Sequence, residues 1–158
     1  MRRLILGFSA LAMALLLGSL TLASSSAAPP PAPSITAHAF NLTAHVAGGI
    51  KSIAGGEPLT FVFTEKNVGS TSQNEDLDVT TVTKASVVSQ ICVDPRGAEF
   101  HADTPFCEPG FLKPGQSSST VIDVVVANVT SGSVSVRVCL ENESTGAVGP
   151  CLTKSVII

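Results

Sequence analysis

The residues of this chain that could perform chemistry are few, and the four cysteines come first: Cys92, Cys107, Cys139 and Cys151. In an oxidising compartment, an even set of cysteines favours disulfides over a metal site or a catalytic thiol. Four cysteines allow three pairings. We expect pairing in chain order, because Cys92–Cys107 and Cys139–Cys151 close short loops without crossing a core. That pairing also predicts that the chain lacks the antibody-type pin, which is a disulfide that joins the two sheets of the domain through its core.

The three histidines do not form a recognisable catalytic or metal-binding set. His38 and His45 are seven residues apart in what reads as one strand, so they point to opposite faces. His101 lies between Cys92 and Cys107, in a segment with further acidic residues: Asp94, Glu99 and Asp103. A Ca²⁺ or Zn²⁺ site is one interpretation, but solvated loop charge is the expected one. We therefore predict no metal and no cofactor.

No hydrolase or metalloprotease motif of the G-x-S-x-G or H-E-x-x-H type occurs in the sequence. The densest acidic segment, 74–78, lacks the glycine that punctuates a calcium loop, so we expect a polar turn between strands. These observations predict that the protein is not an enzyme.

Two features of the first cysteine loop indicate other functions. Pro95-Arg96-Gly97 could present Arg96 to a trypsin-like protease. Inhibition needs a rigid loop, however, and Gly97 makes this one more flexible, so an ordinary turn is expected. Three phenylalanines near this loop are expected to form a small satellite core, or otherwise an exposed apolar patch: Phe100, Phe106 and Phe111.

The first 28 residues have the composition of a secretory signal peptide. Arg2 and Arg3 precede an apolar run from Leu4 to Leu22, and small residues continue to Ala28. We expect cleavage after Ala27 or Ala28, with no membrane insertion afterwards. An uncleaved anchor is the alternative, because the run approaches the roughly 20 residues that span a bilayer.

Three segments follow from this organisation: a signal peptide at 1–28, a proline-rich linker at 29–34 and one domain at 35–158. The linker should be an extended, semi-rigid polyproline spacer. Without Arg2 and Arg3, seven Lys and Arg face twelve Asp and Glu, so the net charge falls from −3 to −5. An acidic chain of this kind disfavours nucleic acid and anionic membranes as partners.

The domain consists of short Val- and Thr-rich runs separated by Gly, Pro, Asn and Ser, which is typical of strands. Strict alternation places Leu59, Phe61 and Phe63 on one face of a half-buried strand. Similar alternation gives two further inward sets: Ile122, Val124 and Val126, and Val134, Val136, Val138 and Leu140. We predict an all-β, Ig-like antiparallel β-sandwich of about seven strands.

Three details of this sandwich are predicted from parity. The apolar parity switches between Leu77 and Val93, which indicates two strands or one strand broken by a bulge. Cys139 and Cys151 both fall on outward positions and should face solvent on neighbouring strands. Lys154 falls on the inward parity of the last strand, which places it at a sheet edge.

Two passages resemble a known family. Leu59 to Ser70 looks like a strand followed by an Asn-x-Gly-Ser turn, and Phe111 to Ser117 looks like a Leu-x-Pro-Gly-Gln-Ser turn that leads into a Val-rich strand. Together they resemble the CARDB-like and conserved-repeat Ig-like domains of secreted bacterial surface proteins. The resemblance implies an adhesion-related or spacer module. A looser resemblance, to the neocarzinostatin-type apoproteins, implies a carrier of small apolar ligands.

The sequence thus predicts a secreted, non-enzymatic module that acts at the cell surface or outside the cell. Its expected partner is an extracellular protein or a cell-envelope component. A small-ligand carrier and a protease inhibitor presenting Arg96 stay open as alternatives. Asn41, Asn128 and Asn142 each begin an N-x-S/T sequon, which matters only if the host glycosylates its secreted proteins.

Overall fold

The computed structural model of this protein describes residues 39–102, 106–142 and 145–158. Within them the chain forms a 3₁₀ turn (Ala47–Gly49) and nine strands: β1 (Phe40–Val46), β2 (Pro58–Asn67), β3 (Glu75–Thr83), β4 (Ala85–Val93), β5 (Glu99–His101), β6 (Phe106–Cys107), β7 (Ser117–Val126), β8 (Ser133–Asn142) and β9 (Ala147–Ile157). No helix in these ranges is long and apolar enough to cross a membrane. The predicted signal peptide and linker lie outside the described residues, so they and the domain boundaries stay predictions.

The strands form two antiparallel sheets. Sheet A has the order β1-β2-β7-β4-β5, and sheet B has the order β6-β3-β8-β9. Of the nine described strands, β5 and β6 have only three and two residues, so seven strands carry the architecture. The prediction of an all-β Ig-like sandwich is confirmed.

Alternate residues of the long strands fill the core between the sheets. Leu59, Phe61 and Phe63 of β2 are buried, as their alternation predicts. The inward sets predicted for β7 and β8 are buried as well: Ile122, Val124, Val126, Val134, Val136, Val138 and Leu140. Branched side chains pack well on a pleated surface, which explains why a Val-rich sequence builds this core.

The chain changes sheets between β3 and β4, which explains the parity switch in the sequence. Lys84 joins the two strands with a φ of 55°, in the left-handed region that non-glycine residues seldom enter. Its Nζ donates to the carbonyl oxygen of Ser131 at 3.0 Å. Each strand also carries a ladder irregularity, at Thr80 in β3 and at Val88 in β4. The prediction of two strands here is confirmed.

Both disulfides have the predicted pairing. However, Cys92 belongs to β4 of sheet A and Cys107 to β6 of sheet B, and both are buried. This disulfide is not the antibody-type pin, which would need a cysteine in β2. It nevertheless joins the two sheets through the core, so the expectation that this pair closes a loop without crossing the core is wrong. The reason is that the chain passes from sheet A to sheet B between β5 and β6, which brings Cys107 back over Cys92.

The second disulfide staples the edge of sheet B. Cys139 of β8 lies directly opposite Cys151 of β9. The expectation that both face solvent is wrong for Cys139, which is only 2% exposed. Thr80, the residue at the β3 irregularity, places its Oγ1 3.7 Å from Cys139 Sγ and covers it. Lys154 is half-buried opposite Val136 on the edge strand β9, as its parity predicts.

Candidate interaction surface

Three loops meet at one end of the sandwich, which we call the loop end: residues 68–74, 94–98 and 108–116. The register brings them together, because the end of β2 lies beside the start of β7, and the end of β4 flanks the same part of β7. Loops at the ends of a rigid sandwich are where binding residues most often occur.

Asn67, the last residue of β2, organises the loop end. Its backbone N–H donates to the carbonyl oxygen of Gln116 at 2.9 Å, and its carbonyl oxygen accepts from the N–H of Gly115 at 2.8 Å. Its side-chain Nδ2 donates to the carbonyl oxygens of Thr71 and Leu112, both at 2.8 Å. One buried amide therefore ties two loops to the end of the strand.

The two passages that carry the family resemblance are parts of this one unit. Asn67 belongs to the first turn, and Leu112 and Gly115 belong to the second. Gly69 is required by close approach, since a Cβ there would lie 2.7 Å from Ala39 Cβ. The turn motifs thus have a structural role, which is to fix the loops that they contain.

The loop 94–98 is a tight turn between β4 and β5. The N–H of Gly97 donates to the carbonyl oxygen of Asp94 at 3.0 Å, with Gly97 at a φ of 83°. Asp94 Oδ1 accepts from the N–H groups of Arg96 and Ala98, both at 2.8 Å. The bond from Ala98, aided by the one from Arg96, lowers the pKa of the Asp94 carboxyl. The turn is therefore closed and internally hydrogen-bonded, with Arg96 exposed.

A cleft of about 310 Å³ separates this turn from the loop 108–116. Eight residues line it: Asp94, Pro95, Arg96, Pro109, Gly110, Phe111, Lys113 and Gln116. Phe111 is 72% exposed, the highest value among the large apolar side chains of the described residues. The cleft has a net positive character within an acidic chain, because two cations, Arg96 and Lys113, face the single carboxylate of Asp94.

The other two phenylalanines of the region are also partly exposed, at 39% for Phe100 and 37% for Phe106. The expectation of a satellite core beneath the loop is therefore wrong. The cysteine loop contains its own strands, β5 and β6, each of which pairs at a sheet edge instead of folding over an apolar cluster.

Carboxyl groups are buried between the sheets beneath the loop end. Glu65 continues the inward row of β2, and its Oε1 accepts a hydrogen bond of 2.6 Å from the Ser118 hydroxyl. Its Oε2 has no hydrogen-bond partner within the described ranges. Across the core, Glu75 Oε1 accepts from Asn142 Nδ2 at 2.9 Å.

Burial raises the pKa of Glu65 to about 8. The hydrogen bond from Ser118 lowers it in part, and the nearby charges of Glu75 and Asp76 raise it further. Glu65 is therefore mostly protonated at neutral pH, which explains how a carboxyl group remains in the core. Glu65 is not among the candidates predicted from the sequence, although the parity of Leu59, Phe61 and Phe63 marks position 65 as inward.

The other candidates from the sequence do not assemble. Glu75 and Asp76 lie in strand β3 and are buried, so the expectation of a polar turn at 74–78 is wrong. The loop closes before Glu75 because Gln73 already pairs with Leu112. His45 and His101 are exposed, on β1 and β5, while His38 and Asp103 lie outside the described residues. Within those residues no three His, Cys, Asp or Glu are placed to hold a metal.

The three sequons have different surroundings. Asn41 and Asn128 are exposed. Asn142 uses its side-chain nitrogen to donate to Glu75, and its Oδ1 accepts from the N–H of Thr145 at 3.0 Å. Asn142 is half-buried and both of its side-chain polar atoms are engaged, so Asn41 and Asn128 are the more accessible of the three.

A scan of protein-family profiles finds no match, and a comparison with curated protein sequences finds no similar protein. Among solved structures, the chain is similar to BcpA, the major pilin subunit of Bacillus cereus, with 12% identity and a TM-score of 0.51 over 75% of this chain and 39% of the pilin. The chain thus spans well under half of the pilin subunit.

Two further similar structures are smaller. A FixG-related protein from Vibrio parahaemolyticus has 13% identity and a TM-score of 0.45, over 75% of this chain and 95% of that one. The CARDB domain of the PF1109 protein from Pyrococcus furiosus, in complex with di-metal ions, has 12% identity and a TM-score of 0.41, over 77% and 90%. A CARDB domain is thus among the similar structures, as the sequence resemblance predicts. At these identities the likeness concerns the Ig-like fold alone.

Proposed function

We propose that this protein is a secreted, non-enzymatic Ig-like module that contacts an extracellular protein or a cell-envelope component through its loop end. The observation that carries the proposal is Phe111, which stands exposed beside Arg96 and Lys113 on a fixed scaffold. Exposed aromatic side chains and arginine are enriched where proteins bind partners. The disulfide Cys92–Cys107 and the Asn67 hydrogen bonds hold both walls of the cleft.

Secretion is supported by three features. The first 28 residues have signal-peptide composition, four cysteines form two disulfides, and the described chain has no free cysteine. The likeness of the fold to a major pilin subunit supports a structural or interaction role over a metabolic one.

A small-ligand carrier needs an apolar cleft between sheet and loops. The described cleft is lined mainly by charged and polar residues, with Phe111 as its one large apolar side chain. The core itself is filled by fully buried side chains, the largest of them Phe61 and Phe63. These observations favour a protein contact over the carriage of a small apolar molecule.

A protease inhibitor needs its specificity residue on an extended loop, because a protease binds its substrate as a strand. Arg96 is exposed, but its turn is closed by the bond from Gly97 to Asp94, and its own N–H is held by Asp94 Oδ1. The backbone around Arg96 therefore cannot pair with a protease cleft while the turn is intact.

The proposal is tested by placing a photo-crosslinking phenylalanine analogue at position 111 of the secreted protein, in the presence of cells of the native host. We expect a discrete crosslinked product, identified by mass spectrometry, and its loss when Arg96 and Lys113 are both replaced by Ala. The same analogue at Val88, which is 66% exposed on β4 away from the cleft, should give none. Equal crosslinking from positions 88 and 111, or none from 111, would contradict the proposal.

A further inference from the structure

The edges of the two sheets differ in how they are protected against pairing with another strand. An unprotected edge is a template for strand addition, and proteins block it with prolines, inward charges, bulges or very short strands. Four of the described edge segments carry such a feature. β5 and β6 are very short, and the uncovered parts of β3 and β4 contain the irregularities at Thr80 and Val88.

The edge of sheet B at β9 is protected in three ways. Pro150 removes a backbone donor, and Lys154 lies on the inward parity. The end of the strand is covered by the segment 51–53, since Ile157 accepts a bond of 2.9 Å from the N–H of Ile53 and donates one of 3.3 Å to Lys51.

Strand β1 has none of these features. It is an edge strand of sheet A, and among the described residues it pairs only with β2. Its seven residues stay in regular register from Phe40 opposite Asn67 to Val46 opposite Phe61. It contains no proline, lysine, arginine, aspartate or glutamate. Residues of β1 approach β9 of the facing sheet, but no backbone hydrogen bond joins these two strands within the described residues. We therefore call the outer side of β1 the open edge.

The hydrogen-bonding direction of β1 follows from its ladder with β2. The N–H of Val68 donates to the carbonyl oxygen of Ala39 at 2.7 Å, so that pair is hydrogen-bonded. Bonded and non-bonded pairs alternate in an antiparallel ladder. Asn41, Thr43 and His45 therefore direct their backbone groups to β2. The backbone groups of Phe40, Leu42 and Ala44 face the open edge.

We propose that β1 pairs antiparallel with β1 of a second copy of this chain, about a two-fold axis at Thr43, so that sheet A continues into a second sheet A. This register places Leu42 opposite Ala44 and Phe40 opposite Val46, and these are the residues whose backbone groups are free to bond. The two Thr43 side chains then form a non-bonded pair, the arrangement in which opposing side chains come closest.

The strand complements itself in this register. Aromatic–aliphatic and Thr–Thr pairs across strands are favourable, and no like charges meet because the strand carries no acidic or strongly basic residue. Asn41 and His45, both exposed, become cross-strand neighbours. A second copy therefore satisfies the open backbone groups of both strands at once. This inference does not rest on the proposed contact at the loop end, which involves other strands and loops.

The test replaces Thr43 with a charge, because a two-fold axis brings each new side chain against its own copy. Light scattering coupled to size exclusion measures the molar mass of the secreted protein over a concentration series. We expect the mass of the unmodified protein to rise twofold with concentration. T43K and T43E alone should each stay at the single-chain mass, and their equimolar mixture should regain the twofold mass through Lys–Glu pairing.

Two matched controls accompany these variants. T81K and T81E place the same charges on an exposed threonine of β3 and should not alter the mass. A44P removes a donor that faces the open edge while leaving the ladder with β2 intact, and it should stay at the single-chain mass. A single-chain mass for the unmodified protein at every concentration, or doubling that survives T43K and T43E, overturns the proposal. The first result would mean that the open edge of β1 is available to a strand of a different protein instead.

Discussion

Glu65 behaves unlike an ordinary glutamate because both its burial and its neighbours oppose ionisation. Its folded pKa of about 8 lies far above its ordinary value of 4.5. Between these values the folded protein holds a proton that the unfolded chain releases. The contribution of Glu65 to the free energy of unfolding is therefore greatest below pH 4.5. It falls as the pH rises towards 8, by up to about 1.4 kcal/mol per pH unit.

The first prediction concerns the variant E65Q. Glutamine cannot ionise, and its side-chain oxygen can still accept the hydrogen bond from Ser118. We expect the free energy of unfolding of E65Q to lose this decline between pH 5 and 8, so that the variant becomes the more stable protein at pH 8. Urea unfolding at several pH values measures the difference, with E57Q as the control because Glu57 is exposed. Parallel pH profiles for E65Q and the unmodified protein would show that Glu65 is ionised in the fold.

For single residues, the sequence predicts which way a side chain points but not which groups it contacts or whether it is ionised. Alternation in β2 places position 65 inward, but only the packed structure shows that Ser118 is its hydrogen-bond partner and that Glu75 faces it from the other sheet. Asn67 behaves likewise. The sequence marks it as part of a turn motif. Its role, however, depends on its hydrogen bond to the carbonyl oxygen of Leu112, which lies 45 residues later in the sequence.

At the scale of elements, the two disulfides differ in what they connect. Cys92–Cys107 joins the sheets, whereas Cys139–Cys151 joins neighbouring strands of one sheet. Their sequence separations of 15 and 12 residues are similar, so chain entropy assigns each about 3 kcal/mol. The position of each disulfide, more than its loop length, should decide the consequence of removing it.

The second prediction compares the paired variants C92A/C107A and C139A/C151A. Both should lower the free energy of unfolding by about 3 kcal/mol. Only C92A/C107A should also loosen the cleft, because β5 and β6 are otherwise held by a few ladder bonds. Hydrogen exchange of the Gly97 and Ala98 amides should then accelerate in C92A/C107A alone. Equal exchange in the two variants would mean that the turn is fixed by its own hydrogen bonds.

For the whole molecule, the third prediction is the mass of the protein recovered from the culture medium. We expect a mature chain that begins at Ala28 or Pro29 and whose mass without reduction is lower by four hydrogens, since two disulfides form. Intact-mass measurement before and after reduction checks this. Recovery only from the cell envelope, with residues 1–27 retained, would instead identify a membrane-tethered module. Extra glycan mass, if the host adds it, should map to Asn41 or Asn128.

The sequence by itself determined the fold class, the inward faces of β2, β7 and β8 and the disulfide pairing. The fold class and the inward faces depend on the periodicity within each strand, and the disulfide pairing follows the order of the cysteines along the chain. Tertiary structure decided the rest: the sheet change at Lys84, the buried disulfide at Cys92, the proton on Glu65, the meeting of the two turn motifs and the open edge of β1. Each of these depends on which strands become neighbours. The packing of segments that are distant in sequence decides that, and the periodicity of one strand carries no information about it.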